Sequence, residues 1–376
     1  MGGHVNQHRS IGSHAVRVAR RLAIEAERRW DGTRIHLHAG REPENFRIVP
    51  YLGMGSPERV LVRGRVLDNP EPSPAVDGEG TWAAVRRTAA RFLTDELPGV
   101  PLRLVVGEVA AETTTDADGY FAFDLEVPPG TCEAPWSAGR LELAGEYRGL
   151  IGPHPSQVRI RVLGPGARFG VISDVDDTIL HTGAQRVVAM VRETIVGSEL
   201  TRTPFAGAPE LYRALAKQGA TQDNPIFYLS SSPWNLHGFL HNFLEHRRFP
   251  LGPLLLRDLL GTEVDRSHDA HKSRHIDEVL ALHPDLPFVL IGDSGQHDPE
   301  IYAAAVRRHP GRILAVYIRE VRLDPGDNRV ELITDDWDLD VPFVLAGDSA
   351  EVARHAAGLG LITKADVRAV ARPCHD

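Results

Sequence analysis

The chain has 376 residues, enough for two or three domains. Its hydrophobic content of 42% and charged content of 25% are ordinary for a globular protein, and no apolar run approaches the ~20 residues of a membrane-spanning helix. The net charge of -9 argues against nucleic acid as a partner, and Cys132 and Cys374 cannot make a disulfide framework or a zinc site, so a reducing, cytoplasmic setting is expected.

The first stretch, MGGHVNQHRSIGSHAVRVARR, has no apolar core of a secretory leader. Between Arg9 and Arg41 stand eight arginines against three acids. Helical spacing puts Ala15, Val18, Ala19, Leu22 and Ala26 on one face, with Arg17, Arg20, Arg21 and Arg28 off it. This basic segment, residues 1–50, reads as a solvated helix packed on its own protein or as a peripheral contact for an anionic membrane. Its alanine-rich apolar side favours the first reading.

Residues 51–165 read as a small β-sandwich-like domain. VLVRGRVL (60–67), LRLVVGEV (102–109), YFAFDLEV (120–127) and VRIRVL (158–163) are strand candidates. In the third, Phe121, Phe123, Leu125 and Val127 alternate with polar or small residues. WAAVRRTAARFLTDEL (82–97) has helical spacing and interrupts the pattern.

From residue 166 to 376 the rhythm changes to apolar run, turn, helix. FGVIS (169–173), IFYLS (226–230), FVLIG (288–292), ILAVYI (313–318) and FVLAG (343–347) are apolar throughout, as strands buried on both faces are. Helical segments at 208–218, 234–247, 272–283 and 299–309 separate most of them. The fold class is therefore α/β, a Rossmann-like parallel sheet preceded by the β-rich domain. In such sheets functional groups gather beyond the carboxyl ends of the strands. Three polar clusters fall there: SDVDDT, SSSPWN and GDSGQHD.

In the first cluster Asp174 and Asp176, two residues apart, can reach one point. Their mutual repulsion is relieved if a divalent cation binds beside them, and Mg2+ takes such oxygen ligands. One carboxylate is then available as a nucleophile and the other as a proton donor. An EF-hand loop is excluded, because its sixth position needs glycine and here holds Ile179. The bland alternative is a turn in which Asp177 and Thr178 cap a helix. In the second cluster Ser230 offers a hydroxyl for phosphate, while Ser232-Pro233 reads as N-cap and first position of the next helix. Lys272 is placed at a helix start. Asp293 and Asp298 supply hard oxygen ligands for Mg2+. Asp348, in the near-repeat FVLAGDSAE, reads as a helix cap rather than a ligand. His181, His237, His268, His271, His275 and His297 surround the motifs without a convincing ligand spacing.

Asp174-Val175-Asp176-Asp177-Thr178, Ser230, Lys272 and Asp293…Asp298, in that order over residues 168–320, resemble the haloacid dehalogenase superfamily of phosphatases. SDVDDTIL, YLSSSPWN and IGDSGQHDPE resemble, more narrowly, the actin-patch-type phosphatidate phosphatases and their bacterial relatives, with the lipins as more distant cousins. Within these 376 residues there is no long Pro-rich tail of the kind that family uses for targeting.

The resemblance implies a Mg2+-dependent phosphomonoester hydrolase working through an aspartyl-phosphate. Asp174 would be the nucleophile and Asp176 the acid and base. Ser230 and Lys272 would grip the phosphoryl group. Magnesium would be held by Asp174, the backbone carbonyl of Asp176, Asp293 and Asp298. The Ile179–Asn224 connection, with Arg202 and Phe205, is too short for a large cap, which leaves an open site suited to a phosphatidate-like substrate. A soluble phosphorylated metabolite or macromolecule as substrate, and a catalytically silent scaffold whose β domain binds a partner, remain alternatives.

Overall fold

The computed structural model describes residues 41–70, 95–175, 206–217, 223–257, 268–320, 333 and 337–372. The basic N-terminal helix, the 82–94 helical stretch, Asp176 to Phe205 and the last four residues lie outside them. Among the described residues, those of 45–145 and 153–372 belong to one compact unit; 41–44 with 146–152 belong to another, in which Tyr147 and Leu150 make a small antiparallel bridge.

Eight strands build the first sheet: β1 (Phe46–Pro50), β2 (Gly53–Gly55), β3 (Arg59–Asp68), β4 (Pro101–Val106), β5 (Val109–Thr114), β6 (Tyr120–Glu126), β7 (Trp136–Leu143) and β8 (Ser156–Val162). Their order is β1-β3-β2-β8-β7-β4-β5, with β6 on the other edge of β3. All pairs are antiparallel except β2 with β8. In β6, Phe121, Phe123 and Leu125 are buried and Ala122, Asp124 and Glu126 exposed, as the alternation predicts. Gly64 permits the crowding at β3, since a Cβ there would stand 2.5 Å from both the Phe121 ring and the Val49 carbonyl. LRLVVGEV, expected as one strand, is a hairpin. Gly107, with φ 59°, turns the chain between Val106 and Val109, a glycine-led two-residue turn that matches strand twist.

The second sheet holds six parallel strands: β9 (Gly170–Asp174), β10 (Ile226–Pro233), β11 (Leu254–Arg257), β12 (Phe288–Asp293), β13 (Ile313–Arg319) and β14 (Phe343–Ala346). The order is β11-β10-β9-β12-β13-β14. Counted from β9 it runs 3-2-1-4-5-6, the doubly wound order whose switch point lies between its first and fourth strands. That crevice is flanked by β9 and β12. β11, an edge strand of four residues, is absent from the five runs read in the sequence.

The helices are α1 (Ala208–Ala216), α2 (His237–His246), α3 (His268–Leu282), α4 (Asp298–Arg308), α5 (Ser349–Gly358) and α6 (Lys364–Val370), with a 3-10 turn at Trp234–Leu236. One core joins Val171, Leu211, Tyr212, Ile291, Tyr317 and Val352; the other joins Ile172, Leu229, Ile276, Leu290, Tyr302 and Val316. The first sheet shares both cores, through Tyr51 in one and Met54 and Leu61 in the other.

Candidate active site

Asp174 ends β9 and Asp293 ends β12, the two strands at the switch point. Asp298 opens α4, and its buried carboxylate accepts the Asp293 backbone N–H at 3.3 Å. Gly292 makes room for this arrangement, because a Cβ there would lie 2.6 Å from Asp298 Oδ2. Asp293 Oδ1 accepts from the backbone N–H groups of Gly295 (2.6 Å) and Gln296 (3.1 Å), which fixes the turn leading to α4. The three carboxylates each place one oxygen within 4.8 Å of the others, and all three residues are 0% exposed.

Lys272 comes from the second turn of α3, not from its start, since the helix already begins at His268. Its Nζ lies 2.7 Å from Asp174 Oδ1 and donates to Asp298 Oδ1 at 2.5 Å. Burial alone would drive this lysine toward its neutral form. Asp174 and Asp298 outweigh burial and raise its pKa, so it stays charged. Three buried carboxylates against one ammonium leave two negative charges in the cluster. All the donors are hard oxygens, so the set fits a divalent cation such as magnesium.

Ser230 is buried in β10, one residue past the Leu229 that pairs with Asp174. Its Oγ accepts from the Ser232 backbone N–H at 3.0 Å. Ser232 is not an N-cap, contrary to the sequence expectation. The strand continues to Pro233, and the 3-10 turn and α2 start without a side-chain cap. Asp176, with Asp177, Thr178, Arg202 and Phe205, lies outside the described residues.

Asp348 caps α5 by accepting the Glu351 backbone N–H at 2.8 Å, two strands away from β12, so it stands apart from the acidic cluster. Among the histidines, His297 precedes α4 and is exposed, and His237 is buried in a stack against Tyr51. His181 and the side chain of His268 are outside the described residues.

Sequence reading passed over several supports. Ser173 Oγ donates to the Asp174 carbonyl (2.8 Å) and lies 2.5 Å from Tyr212 Oη on α1, so a buried hydroxyl pair holds the end of β9. His271 faces the Ser230 backbone, and burial drops its pKa to about 3. The spacing of His271, His275 and Glu278 on one helical stripe was the available signal.

Residues 169–320 match the family model described as the catalytic domain of phosphatidate phosphatase APP1. Phosphatidate phosphatase APP1 of Saccharomyces cerevisiae is 32% identical over 154 residues, which cover 40% of this chain and 26% of that protein. Uncharacterized protein C29B5.04c of Schizosaccharomyces pombe is 29% identical over 225 residues, 58% of this chain and 36% of that one. The chain thus spans about a quarter to a third of the length of these relatives. A solved carbohydrate acetylesterase from Xanthomonas citri aligns over 72% of this chain and 68% of its own at 12% identity with a TM-score of 0.27, too slight a likeness to bear on the fold. The similarity to the phosphatidate phosphatase catalytic domain covers the segment that holds Asp174, Ser230, Lys272, Asp293 and Asp298.

Proposed function

We propose that this chain is a Mg2+-dependent phosphomonoester hydrolase of the haloacid dehalogenase type, with phosphatidate-like lipids as its substrate class. The observation that carries the reading is the buried cluster of Asp174, Asp293 and Asp298 around Lys272 at the switch point of a parallel sheet. The sequence similarity to a phosphatidate phosphatase catalytic domain supports the substrate class.

In this reading Asp174 and Asp293 would hold the cation directly. Asp298 has both oxygens engaged, by Lys272 and by the Asp293 backbone, so it supports those two from behind. Bound magnesium supplies positive charge to the phosphoryl oxygens. Asp174 attacks phosphorus as the bond to the leaving oxygen breaks. Asp176 gives its proton to that oxygen, which departs as the alcohol. Asp176, now a carboxylate, takes a proton from water as the water attacks the aspartyl-phosphate, and Asp174 is released with inorganic phosphate. Lys272 and Ser230 grip the phosphoryl oxygens and offset the charge spread over them in the transition state. Lys272 also orients Asp174, whose Oδ1 it holds.

The test is hydrolysis of a small chromogenic phosphomonoester by the full chain. Activity should vanish with EDTA, return with Mg2+, and be absent in Asp174→Asn, because an amide oxygen is a poor nucleophile. Normal turnover by Asp174→Asn would end this mechanism. A parallel assay on phosphatidate vesicles separates the lipid from soluble phosphomonoesters as substrates.

A further inference from the structure

The first sheet reaches the site through one face of α3. Arg63, in the middle of β3, forms an ion pair with Glu278, and the two side chains are 29% and 24% exposed. The other carboxylate oxygen of Glu278 lies 3.1 Å from His275 Nδ1. His275 packs edge-on against His271, with ring centroids 4.5 Å apart and an interplanar angle of 87°. His271 in turn faces the backbone of Ser230 on β10. Positions 271, 275 and 278 are spaced i, i+4, i+7, so they form one stripe along the helix. Lys272 is the next residue after His271, about 100° further round the same helix.

Lys272 alone cannot fix α3. Its ammonium sits at the end of a flexible four-carbon stem. Ile276, Val279 and Leu280 pack the apolar face of the helix into the core, and the polar stripe ties the neighbouring face. It holds α3 to β3 at one end and to the Ser230 strand at the other. We propose that Arg63 is a positioning residue for the phosphate grip: through Glu278, His275 and His271 it sets the placement of Ser230 and Lys272. The proposal rests on the phosphomonoesterase reading of the site. It gives the first sheet a part in the chemistry rather than a tether's role.

Ser230 and Lys272 hold the phosphoryl group before and during reaction, so misplacing them weakens ground-state binding and raises KM. A purely structural loss would instead lower thermal stability and the amount of active protein, with KM unchanged. The control is Arg59→Ala. Arg59 is on the same strand and pairs with Asp124 at 2.5 Å, within the first sheet. In the full chain, Arg63→Ala should raise KM for the chromogenic ester about tenfold and weaken calorimetric binding of inorganic phosphate by a similar factor. Arg59→Ala should leave both unchanged. Arg63→Lys, which keeps the charge, should recover part of the loss. The exchange of Arg63→Glu with Glu278→Arg should recover more than either change alone.

Unchanged KM and phosphate affinity in a folded Arg63→Ala protein would overturn the proposal. So would equal effects from Arg59→Ala. A wild-type protein that binds phosphate in this pattern but hydrolyses no ester would sink the enzymatic reading alone and leave the positioning role supported.

Discussion

Lys272 sits where a lysine is costly. It is 2% exposed, and removing an ammonium from water is offset only by the two carboxylates within reach. Deleting the charge leaves Asp174 and Asp298 buried beside Asp293 without the ammonium they share. Lys272→Met should therefore cost about 3 kcal/mol of stability, as expected for a broken buried pair, read as a shift in the thermal or urea midpoint. Saturating Mg2+ should return part of that loss, because a bound cation stabilises the native state. A Met variant as stable as wild type would mean that the cluster takes up protons rather than cations. The two look-alike aspartates divide along the same line. Asp293→Ala should raise the Mg2+ concentration for half-maximal activity at least tenfold. Asp348→Ala removes only a helix cap worth about 1 kcal/mol and should leave that concentration unchanged. The reverse pattern would reassign the metal ligand to β14.

At the scale of elements, the strands of the α/β half were legible because they are buried on both faces and carry uninterrupted apolar runs, β9, β10 and β12 most plainly. What escaped was set by contacts between elements. β11 is a short edge strand just after Pro253, with too few residues for a pattern of its own. The Gly107 hairpin was lost because Val105, Val106 and Val109 read as one β-branched run. Capping chemistry read true at Asp348 but not at Ser232-Pro233, where the strand outlasts the serine. Partners from the other sheet left no local signal at all. Tyr51 is such a case. It stacks on Trp234 (centroids 4.9 Å apart, 3° between planes) and on His237 (3.9 Å, 21°), just past the Ser230 segment. It is 5% exposed, so Tyr51→Ala should open a cavity and cost about 3 kcal/mol in urea unfolding, whereas Tyr51→Phe keeps the stacked ring and should lose much less. Equal losses from the two would move the effect from the ring to the hydroxyl.

The whole molecule carries two kinds of charge response, one in its core and one on its surface. In the core, His283 packs against Phe227 and Phe288, 1% exposed, and neither ring nitrogen has a hydrogen-bond partner among the described residues. Burial lowers its pKa to about 4, so as pH falls below about 6.5 the unfolded chain takes the proton first and stability declines down to about pH 4. Glu278 extends the decline. Burial opposes its charge, but the hydrogen bonds from His275 and Arg63 win and set its pKa at about 2, so its contribution is present above about pH 4.5 and is lost as pH falls toward 2. His283→Phe should make the limb between pH 6.5 and 4 shallower, with buried His237 and His271 keeping the rest of it, and leave the Glu278 contribution below pH 4.5, which denaturant unfolding at stepped pH will read. Over the whole sequence a net charge of -9 repels anionic lipid, while the eight arginines from Arg9 to Arg41 would attract it, by about 1 kcal/mol for each one near the membrane. A phosphatidate phosphatase must meet its substrate at such a surface, so the basic segment has to face the bilayer for the lipid reading to work. Deleting residues 1–41 should then reduce sedimentation with anionic vesicles and lower activity on vesicle-borne phosphatidate severalfold, with the small chromogenic ester hydrolysed as before. Raising salt should act on the intact chain as the deletion does, since the attraction is screened beyond a Debye length of about 10 Å at 0.1 M. If the intact chain ignores anionic vesicles at low salt yet hydrolyses the small ester, its substrate is a soluble phosphomonoester and the basic segment has no part in reaching it.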